Sequence, residues 1–220
     1  MVNNIHADKN IKFQAYSEKY AKGFLHRLLD SFASKEPMGQ KLGLTTSVWE
    51  GFIEAFANRE TSKNHSVLAI DEDQDKVVGA CLNEVFGEEP PKLSNEVEKA
   101  FSPVLAILDQ LDKAHFQQSS YSPSQYLHIF MIAADPLYSG QGIASGLIDA
   151  SHNLAITKGL KRSIAETTGP TSTHVFCEKS GYHSENKILY DSFIWKGHTP
   201  FAGIKNAVAC HLVTKNLDTI

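Results

Sequence analysis

Two glycines in the second half of the chain are spaced so that nearby backbone N–H groups could bind an anion. Gly140 and Gly142 flank Gln141, directly before a segment with helical periodicity. Glycine has no side chain to obstruct a neighbouring amide, and the first N–H groups of a helix carry partial positive charge without a partner inside the helix. The pattern therefore predicts that a phosphate-like anion binds at the start of this helix.

The elements on either side of the glycines must position such a site. Residues 127–134 form an unbroken apolar run, which is typical of a strand buried on both faces. After the glycines, Ile143, Leu147 and Ser151 recur at helical spacing. The segment thus predicts a strand, a tight loop and a helix in succession.

A glycine pair alone has other interpretations. The dinucleotide-binding fingerprint Gly-x-Gly-x-x-Gly/Ala lies early in a βαβ unit, whereas Ser145 occupies its third position here and the motif lies past the midpoint of the chain. A turn that merely leads into a core helix is the ordinary explanation of a lone Gly-x-Gly. A second motif downstream, Cys177-Glu178-Lys179-Ser180-Gly181-Tyr182, has to be considered together with the glycines.

Together the two motifs resemble those of the GCN5-related N-acetyltransferases, the GNAT family. Residues 135–144 are similar to the family's pyrophosphate loop, Arg/Gln-x-x-Gly-x-Gly/Ala after a buried strand, with Ser139 where Arg or Gln is usual. Residues 177–182 are similar to the family's Tyr-Glu-Lys-Leu-Gly-Phe. The resemblance implies a single α/β domain over residues 1–220, with helices flanking a mixed, mostly antiparallel sheet that contains a splayed pair of parallel strands.

The resemblance also implies where the cosubstrate acetyl-CoA binds. Loop amides would hold the coenzyme A pyrophosphate, and amides at the end of the buried strand would receive the pantetheine arm and polarise the thioester carbonyl. Small alanines at that strand end leave room for the arm, and they equally allow close helix packing. The implied residues are Ser139, Gly140, Gln141, Gly142, Ile143 and Ala144 in the loop, and Met131, Ile132, Ala133 and Ala134 in the strand.

Glu36 is the candidate general base. Glu36-Pro37-Met38 after a first helix resembles the arylalkylamine branch of the family, in which a glutamate before proline has this role. A carboxylate in a polar loop over residues 35–40 could equally be a solvated charge. The same branch has hydroxyl residues around the helix after the fifth strand, where Thr173 and Gly169 stand here, so Thr173 is the second catalytic candidate.

Cys177 aligns with the tyrosine that usually protonates the departing thiolate in this family. A thiol with a reference pKa of ~8.5 could donate a proton, and Cys177 is the third catalytic candidate on that ground. Free cysteines, however, are most often small buried hydrophobes, and that interpretation is favoured here. A structural thiol in an apolar site predicts that alanine is tolerated better than serine.

Composition narrows the remaining function classes. With 220 residues, a net charge of −4 and scattered Lys and Arg, the chain lacks the basic patch of a nucleic-acid binder. Residues 1–8 contain no apolar signal core, and no window is apolar for long enough to span a membrane. Three cysteines without C-x-x-C spacing indicate a cytoplasmic protein without a disulfide framework, and the ten histidines form no His-Glu-x-x-His pattern, so no metal is predicted.

Along the chain, hydrophobic periodicity predicts alternating helices and strands in one domain. Strands are expected at 11–16, 66–70, 76–82, 161–166, 187–190 and 207–213, the second and third as an antiparallel hairpin and the one at 161–166 parallel to the buried strand. Helices are expected over about 17–32, from Ser47 as a capping residue, within an insertion at about 90–116, and over 171–180. Inside the insertion, Ser102-Pro103 predicts a helix start.

Two functions from different classes fit this pattern. The first is an acetyl-CoA-dependent N-acetyltransferase in which a small primary amine attacks the thioester directly in a ternary complex. The second is a non-catalytic acyl-CoA-binding or regulatory module, which the residues at 139 and 177 would permit. Trp49, Phe52, Phe56, Phe86 and Phe116 could line an apolar amine pocket or simply form core. The sequence is also compatible with a homodimer.

Overall fold

The computed structural model describes residues 10–218, so residues 1–8, for which no signal core is predicted, lie outside the described part. Its centre is one mixed sheet. The strands are β1 (Ile11–Ala15), β2 (Val67–Asp71), β3 (Lys76–Val85), β4 (Tyr126–Ala134), β5 (Arg162–Thr167), β6 (His183–Leu189) and β7 (Ala209–Asn216). They lie in the order β1-β2-β3-β4-β5-β7-β6, and every neighbouring pair is antiparallel except β4 and β5. The α/β fold expected from the sequence is confirmed.

Helices cover both faces of the sheet. No helix among residues 10–218 combines the length and apolarity needed to cross a bilayer. The sequence did not predict the helix at 60–65, and the short helix at 170–173 continues directly into a π-helical turn over His174–Lys179. The helices are α1 (Ala21–Lys35), α2 (Pro37–Leu42), α3 (Thr46–Ala57), α4 (Glu60–His65), α5 (Asn95–Phe116), α6 (Ile143–Thr157) and α7 (Pro170–Thr173).

The sheet separates two hydrophobic cores because successive side chains of a strand point to opposite faces. In β2, Leu68 and Ile70 belong to a core that includes residues of α1, α3 and α5. Val67 and Ala69 belong to the other core, which includes residues of α6 and the π-helical turn. Hence the predicted glycine loop leads into the helix that covers one face, and α1 to α3 cover the other.

The parallel strands β4 and β5 separate after a short stretch of pairing. Tyr126–His128 pairs with Arg162–Ile164, and beyond these residues the two strands continue without pairing to each other. Strand β4 stays bonded to β3 up to Ala134, and a register shift next to Asn83 bends this pair. The predicted splay is therefore confirmed, and it leaves one edge of β4 open.

Two predicted local structures are wrong. Residues 35–40 are not a polar loop, because Glu36 caps α2 and Pro37 occupies the first helical position, where proline's missing N–H costs nothing. Helix α3 is capped by Thr45 rather than Ser47, since the Thr45 hydroxyl accepts a hydrogen bond from the Val48 amide. The first of these corrections bears directly on the candidate base.

The insertion at 90–116 also starts differently from the prediction. Helix α5 begins after Ser94, whose side chain accepts a hydrogen bond from the Val97 amide, and it runs unbroken through Ser102-Pro103. Proline removes the N–H that would otherwise reach the Lys99 carbonyl. The Ser102 hydroxyl donates to that carbonyl instead, at 2.7 Å, which explains how the helix tolerates proline.

Candidate active site

The glycine loop presents free amides at the start of α6. Gly140 and Gly142 have φ of +78° and +72°, and a Cβ added at either position would meet nothing within 4 Å. The amides of Ser139 and Gln141 already donate to carbonyls of the preceding turn, at 3.1 and 3.2 Å. Among residues 10–218, the amides left for the predicted anion site are therefore those of Gly140, Gly142 and the first helical residues, Ile143 and Ala144.

A buried carboxylate fixes the loop against α1. Asp135 is bonded to Arg27 Nη2 and Lys76 Nζ, each at 3.0 Å, and it accepts a hydrogen bond from the Leu137 amide. Burial acts to raise the pKa of Asp135, but the Leu137 amide and the two cations outweigh it, so the pKa is lowered. The only sequence signal for this anchor is Arg27, a charged residue on the apolar face of α1.

The open edge of β4 supplies a second set of free amides. The Asp135 amide donates to the Val78 carbonyl on β3 at 2.8 Å. Since the backbone N–H groups of a strand alternate between its two edges, those of Ala134 and Ile132 face the gap next to β5. Of the four strand residues expected to contact the cosubstrate, these two direct their amides into the gap, whereas the amide of Ala133 faces β3.

Glu36 lies in the same cleft as this edge. The cleft has a volume of about 500 Å³ and is lined by Glu36, Ile132, Ala133, Ala134 and Ala144, among others. Three regions distant in sequence therefore meet: the start of α2, the end of β4 and the start of α6.

The Glu36 carboxyl group is buried, with only 8% of the residue exposed. The Gly39 amide donates to Oε2 at 2.5 Å, while Oε1 has no hydrogen-bond partner among residues 10–218. Burial raises the pKa of Glu36, although the Gly39 and Met38 amides and the Thr168 side chain oppose the shift. A buried carboxylate with a raised pKa and an unpaired oxygen can accept a proton from a ligand.

A narrower pocket extends from the cleft past Glu36. Its volume is about 110 Å³, and it shares Phe32, Glu36, Ile132, Thr168, Ser172 and Phe176 with the cleft. Of the five aromatic residues proposed for an amine pocket, Trp49 and Phe52 line it. The others pack as core, Phe56 on Phe130 and Phe86 on Phe116.

Comparison with known proteins decides the family. A family model described as "Acetyltransferase (GNAT) family" matches residues 25–182, which include most of α1, the cleft-lining residues other than Asn206, the glycine loop and the second motif. The chain belongs to the GNAT family. This match confirms the prediction of an N-acetyltransferase. A search of curated protein sequences finds no match.

Solved structures with the same fold include three that cover 94% of this chain. The C-terminal condensation domain of Ebony, in complex with beta-alanyl-dopamine, has a TM-score of 0.83 at 13% identity, and 99% of it is covered. Arylalkylamine N-acetyltransferase 2 from Aedes aegypti has a TM-score of 0.75 at 21% identity, with 99% covered. The polyamine N-acetyltransferase of Drosophila melanogaster has a TM-score of 0.69 at 16% identity, with 100% covered.

In this GNAT chain, Thr173 does not share a cleft with Glu36, but other hydroxyl residues do. Thr168 and Ser172 line both the cleft and the inner pocket. Thr173 lines a neighbouring cleft instead, where its hydroxyl donates to the Gly169 carbonyl at 3.0 Å and contacts the Thr167 hydroxyl at 2.8 Å. One step along a helix turns a side chain by about 100°, so sequence similarity alone could not choose between adjacent hydroxyl residues.

Cys177 lies beside Thr173 in this neighbouring cleft, not next to Glu36. The side chain is half-buried against the α6 core, and burial, followed by the charge of Glu178, raises the pKa of the thiol. The thiol is therefore protonated at neutral pH. Its position supports the structural interpretation over thiolate protonation.

We expect both Cys177→Ala and Cys177→Ser to keep turnover within about threefold of the parent, because losing a general acid typically costs ~100-fold or more. Half-burial gives a serine hydroxyl access to water, so the two variants should also be similarly stable. Steady-state turnover and thermal midpoints of both variants check this. A stable alanine variant with turnover reduced about 100-fold, the scale of a lost acid, would assign proton donation to Cys177.

Proposed function

We propose that this GNAT chain transfers an acetyl group from acetyl-CoA to a small primary amine, which attacks the thioester directly in a ternary complex. One observation carries the proposal: a buried carboxylate with an unpaired oxygen, Glu36, shares a cleft with the open edge of β4. Amine acetylation needs a proton acceptor beside a group that stabilises developing negative charge on a carbonyl oxygen. Glu36 would accept the proton, and the free backbone amides of β4 would stabilise the negative charge.

The residues of the chain fit acetyl-CoA, which would supply the activated acetyl group as a thioester. The bare Cα atoms of Gly140 and Gly142 leave room for phosphate oxygens, and the start of α6 favours negative charge. The amides of Ile132 and Ala134 would bind the pantetheine arm and the thioester carbonyl. Met131, Ala133, Ser139 and Gln141 complete the proposed binding residues, through side chains and packing.

Glu36 would act as the general base. Amines are mostly protonated at neutral pH, and the nitrogen can attack only after it loses a proton. Burial raises the pKa of Glu36 towards neutral pH. A general base is most effective when its pKa lies near the working pH, because it is then largely ionised and still binds a proton well. Thr168 and Ser172, which line the site next to Glu36, are better placed than Thr173 to orient the amine. The proton taken from the amine, or a water molecule, would serve the departing thiolate.

The inner pocket restricts the acceptor to a small amine with an apolar body. Phe52 and Phe101 stack with ring centroids 3.8 Å apart, and the other aromatic residues that line the pocket are Phe32, Trp49, Phe130 and Phe176. Similar folds occur in the mosquito arylalkylamine and fruit-fly polyamine N-acetyltransferases named above, which supports an amine acceptor. Unpaired thiols at Cys81, Cys177 and Cys210 support a cytoplasmic location.

A non-catalytic acyl-CoA-binding module is the second candidate. It is favoured by Ser139, whose short hydroxyl replaces the longer Arg or Gln side chain usual at that loop position, and by Cys177 in place of a thiolate-protonating tyrosine. Such a module would bind CoA without turning it over.

Thiol release from acetyl-CoA, measured with a panel of arylalkylamines, polyamines and amino acids, separates the two candidates. We expect CoA release that depends on the added amine, with a preference for arylalkylamines. Bound CoA without amine-dependent release on any acceptor would favour the binding module. Hydrolysis that proceeds equally without amine would exclude the proposed acceptor chemistry.

A further inference from the structure

A second buried carboxylate lines the inner pocket. Glu166 lies on β5, two residues before Thr168, whose side chain interacts with Glu36. Two strand residues span roughly 7 Å, so Glu166 and Glu36 lie at different depths of one pocket. The aromatic residues Phe52, Phe101 and Phe130 line the same pocket.

Glu166 is held in place by a buried imidazole. Its Oε2 is 2.7 Å from His128 Nε2, and His128 Nδ1 is 3.3 Å from Glu84 Oε1. The other oxygen of Glu84, Oε2, pairs with Arg59. Burial acts to lower the pKa of His128, but the two glutamates outweigh it and raise the pKa well above the ordinary value. Arg59 and His128 therefore balance Glu84 and Glu166, and these four groups carry no net charge.

Asp112 on α5 completes the cluster. Glu166 Oε1 and Asp112 Oδ1 are both buried, and if both carboxyl groups were ionised, neither oxygen would have a hydrogen-bond partner among residues 10–218. Burial, followed by the charge of Glu166, raises the pKa of Asp112 to about 9. Asp112 is thus a neutral acid at pH 7, and it can donate its proton to Glu166. Helix α5, within the predicted insertion, thereby contributes Asp112 to the cluster and Phe101 to the pocket wall.

This charge balance determines what the cluster can bind. A carboxylate oxygen accepts two hydrogen bonds, so Glu166 can accept another from a ligand after bonding His128 and Asp112. A second cation would enter an apolar pocket in which the negative charge of Glu166 is already matched by His128, and burying an uncompensated charge is costly. The cluster is suited to a neutral donor.

We propose that Glu166, positioned by His128 and Asp112, is a specificity-determining residue that accepts a hydrogen bond from a hydroxyl group at the distal end of the amine acceptor. Preferred acceptors then have an aromatic body and a terminal hydroxyl group, and diamines of the same length are poor. The proposal rests on the proposed amine acetylation, and it identifies the residue that contacts the distal end of the acceptor.

Three matched amines test it with the full chain: 2-phenylethylamine, its 4-hydroxymethyl derivative and its 4-aminomethyl derivative. We expect kcat/KM for the hydroxylated amine to exceed that for either of the others by about 10- to 100-fold, the range for a hydrogen bond to a charged group. Glu166→Gln should remove most of this preference, mainly by raising KM for the hydroxylated amine, and should leave 2-phenylethylamine nearly unchanged.

Asp109→Asn, at an exposed carboxylate on the same helix as Asp112, is the control and should keep the preference. A role of Glu166 in structure alone would lower kcat/KM for all three amines together, which would overturn the proposal. So would a parent chain that acetylates the three amines equally or prefers the diamine, whether or not Glu166→Gln folds. Absence of turnover with every amine would instead remove the proposed function, and the role of Glu166 with it.

Discussion

Gly142→Val is expected to weaken CoA binding by roughly 100-fold or more while the chain stays folded. The new side chain would occupy the open space where the pyrophosphate is proposed to bind, at a position where a Cβ now meets nothing within 4 Å. Two charge-assisted hydrogen bonds lost from the loop amides correspond to about this factor. Calorimetric titration with CoA measures the loss.

Gly159→Val provides the matched control. Gly159 has φ of +81°, close to the +72° of Gly142, also has nothing within 4 Å, and lies just beyond the opposite end of α6. Both variants carry the strain of a branched side chain at positive φ, so a similar fall in thermal midpoint is expected for both. Unchanged CoA affinity in a folded Gly142→Val chain would reject the placement of the pyrophosphate.

Glu36→Gln is expected to lower turnover by ~100- to 10,000-fold, the usual cost of removing a general base, with CoA affinity unchanged. Glutamine keeps the shape of the side chain and can still accept from the Gly39 amide, but it cannot take up a proton. In the parent, kcat/KM should rise with pH as Glu36 ionises, through a pKa above the ordinary value of 4.5, and the variant should lack this step. Pre-steady-state and steady-state rates over a pH series measure both effects.

As pH rises through the pKa of Glu36, the activity of the parent chain should increase while its free energy of unfolding decreases. Because the pKa of Glu36 is raised in the folded chain, the unfolded chain releases this proton first as pH rises. The free energy of unfolding therefore falls as pH rises from the unfolded pKa to the folded pKa. At neutral pH, Glu36→Gln should be at least as stable as the parent, so misfolding cannot explain its lost turnover.

Glu50→Gln, which neutralises an exposed carboxylate on α3, serves as the control and should change neither property. Turnover of Glu36→Gln within about threefold of the parent at saturating amine, far below the loss expected for a base, would return Glu36 to the class of structural carboxylates.

Local sequence patterns were sufficient to predict those structural elements whose determining residues lie close together in the sequence. The apolar run of β4, Gly142 and the spacing of Ile143 and Leu147 lie within one segment, and the structure has the strand, loop and helix that they predict. The splay of β4 from β5 followed from family resemblance and not from any pattern in the residues themselves.

The features that the sequence did not reveal, a buried carboxyl group and a cluster of charged side chains, depend on tertiary packing. Glu36 looked solvated beside Lys35, yet α2 folds against α1 and buries its carboxyl group. Asp112, His128 and Glu166 come from a helix and two strands that meet only in the folded chain. None of the three belongs to a motif, so no local signal could have assembled the cluster.

Incubation with acetyl-CoA that carries carbon-13 at both acetyl carbons, followed by mass spectrometry of the amine, tests the central claim most directly. If Glu36 and the open edge of β4 form an amine acetylation site, an amide that retains both labelled carbons should form in equal amount to the CoA released. It should form at least about 100-fold more slowly with Glu36→Gln, as expected for loss of a base. Labelled free acetate with unmodified amine, or bound acetyl-CoA that is never consumed, would contradict the account.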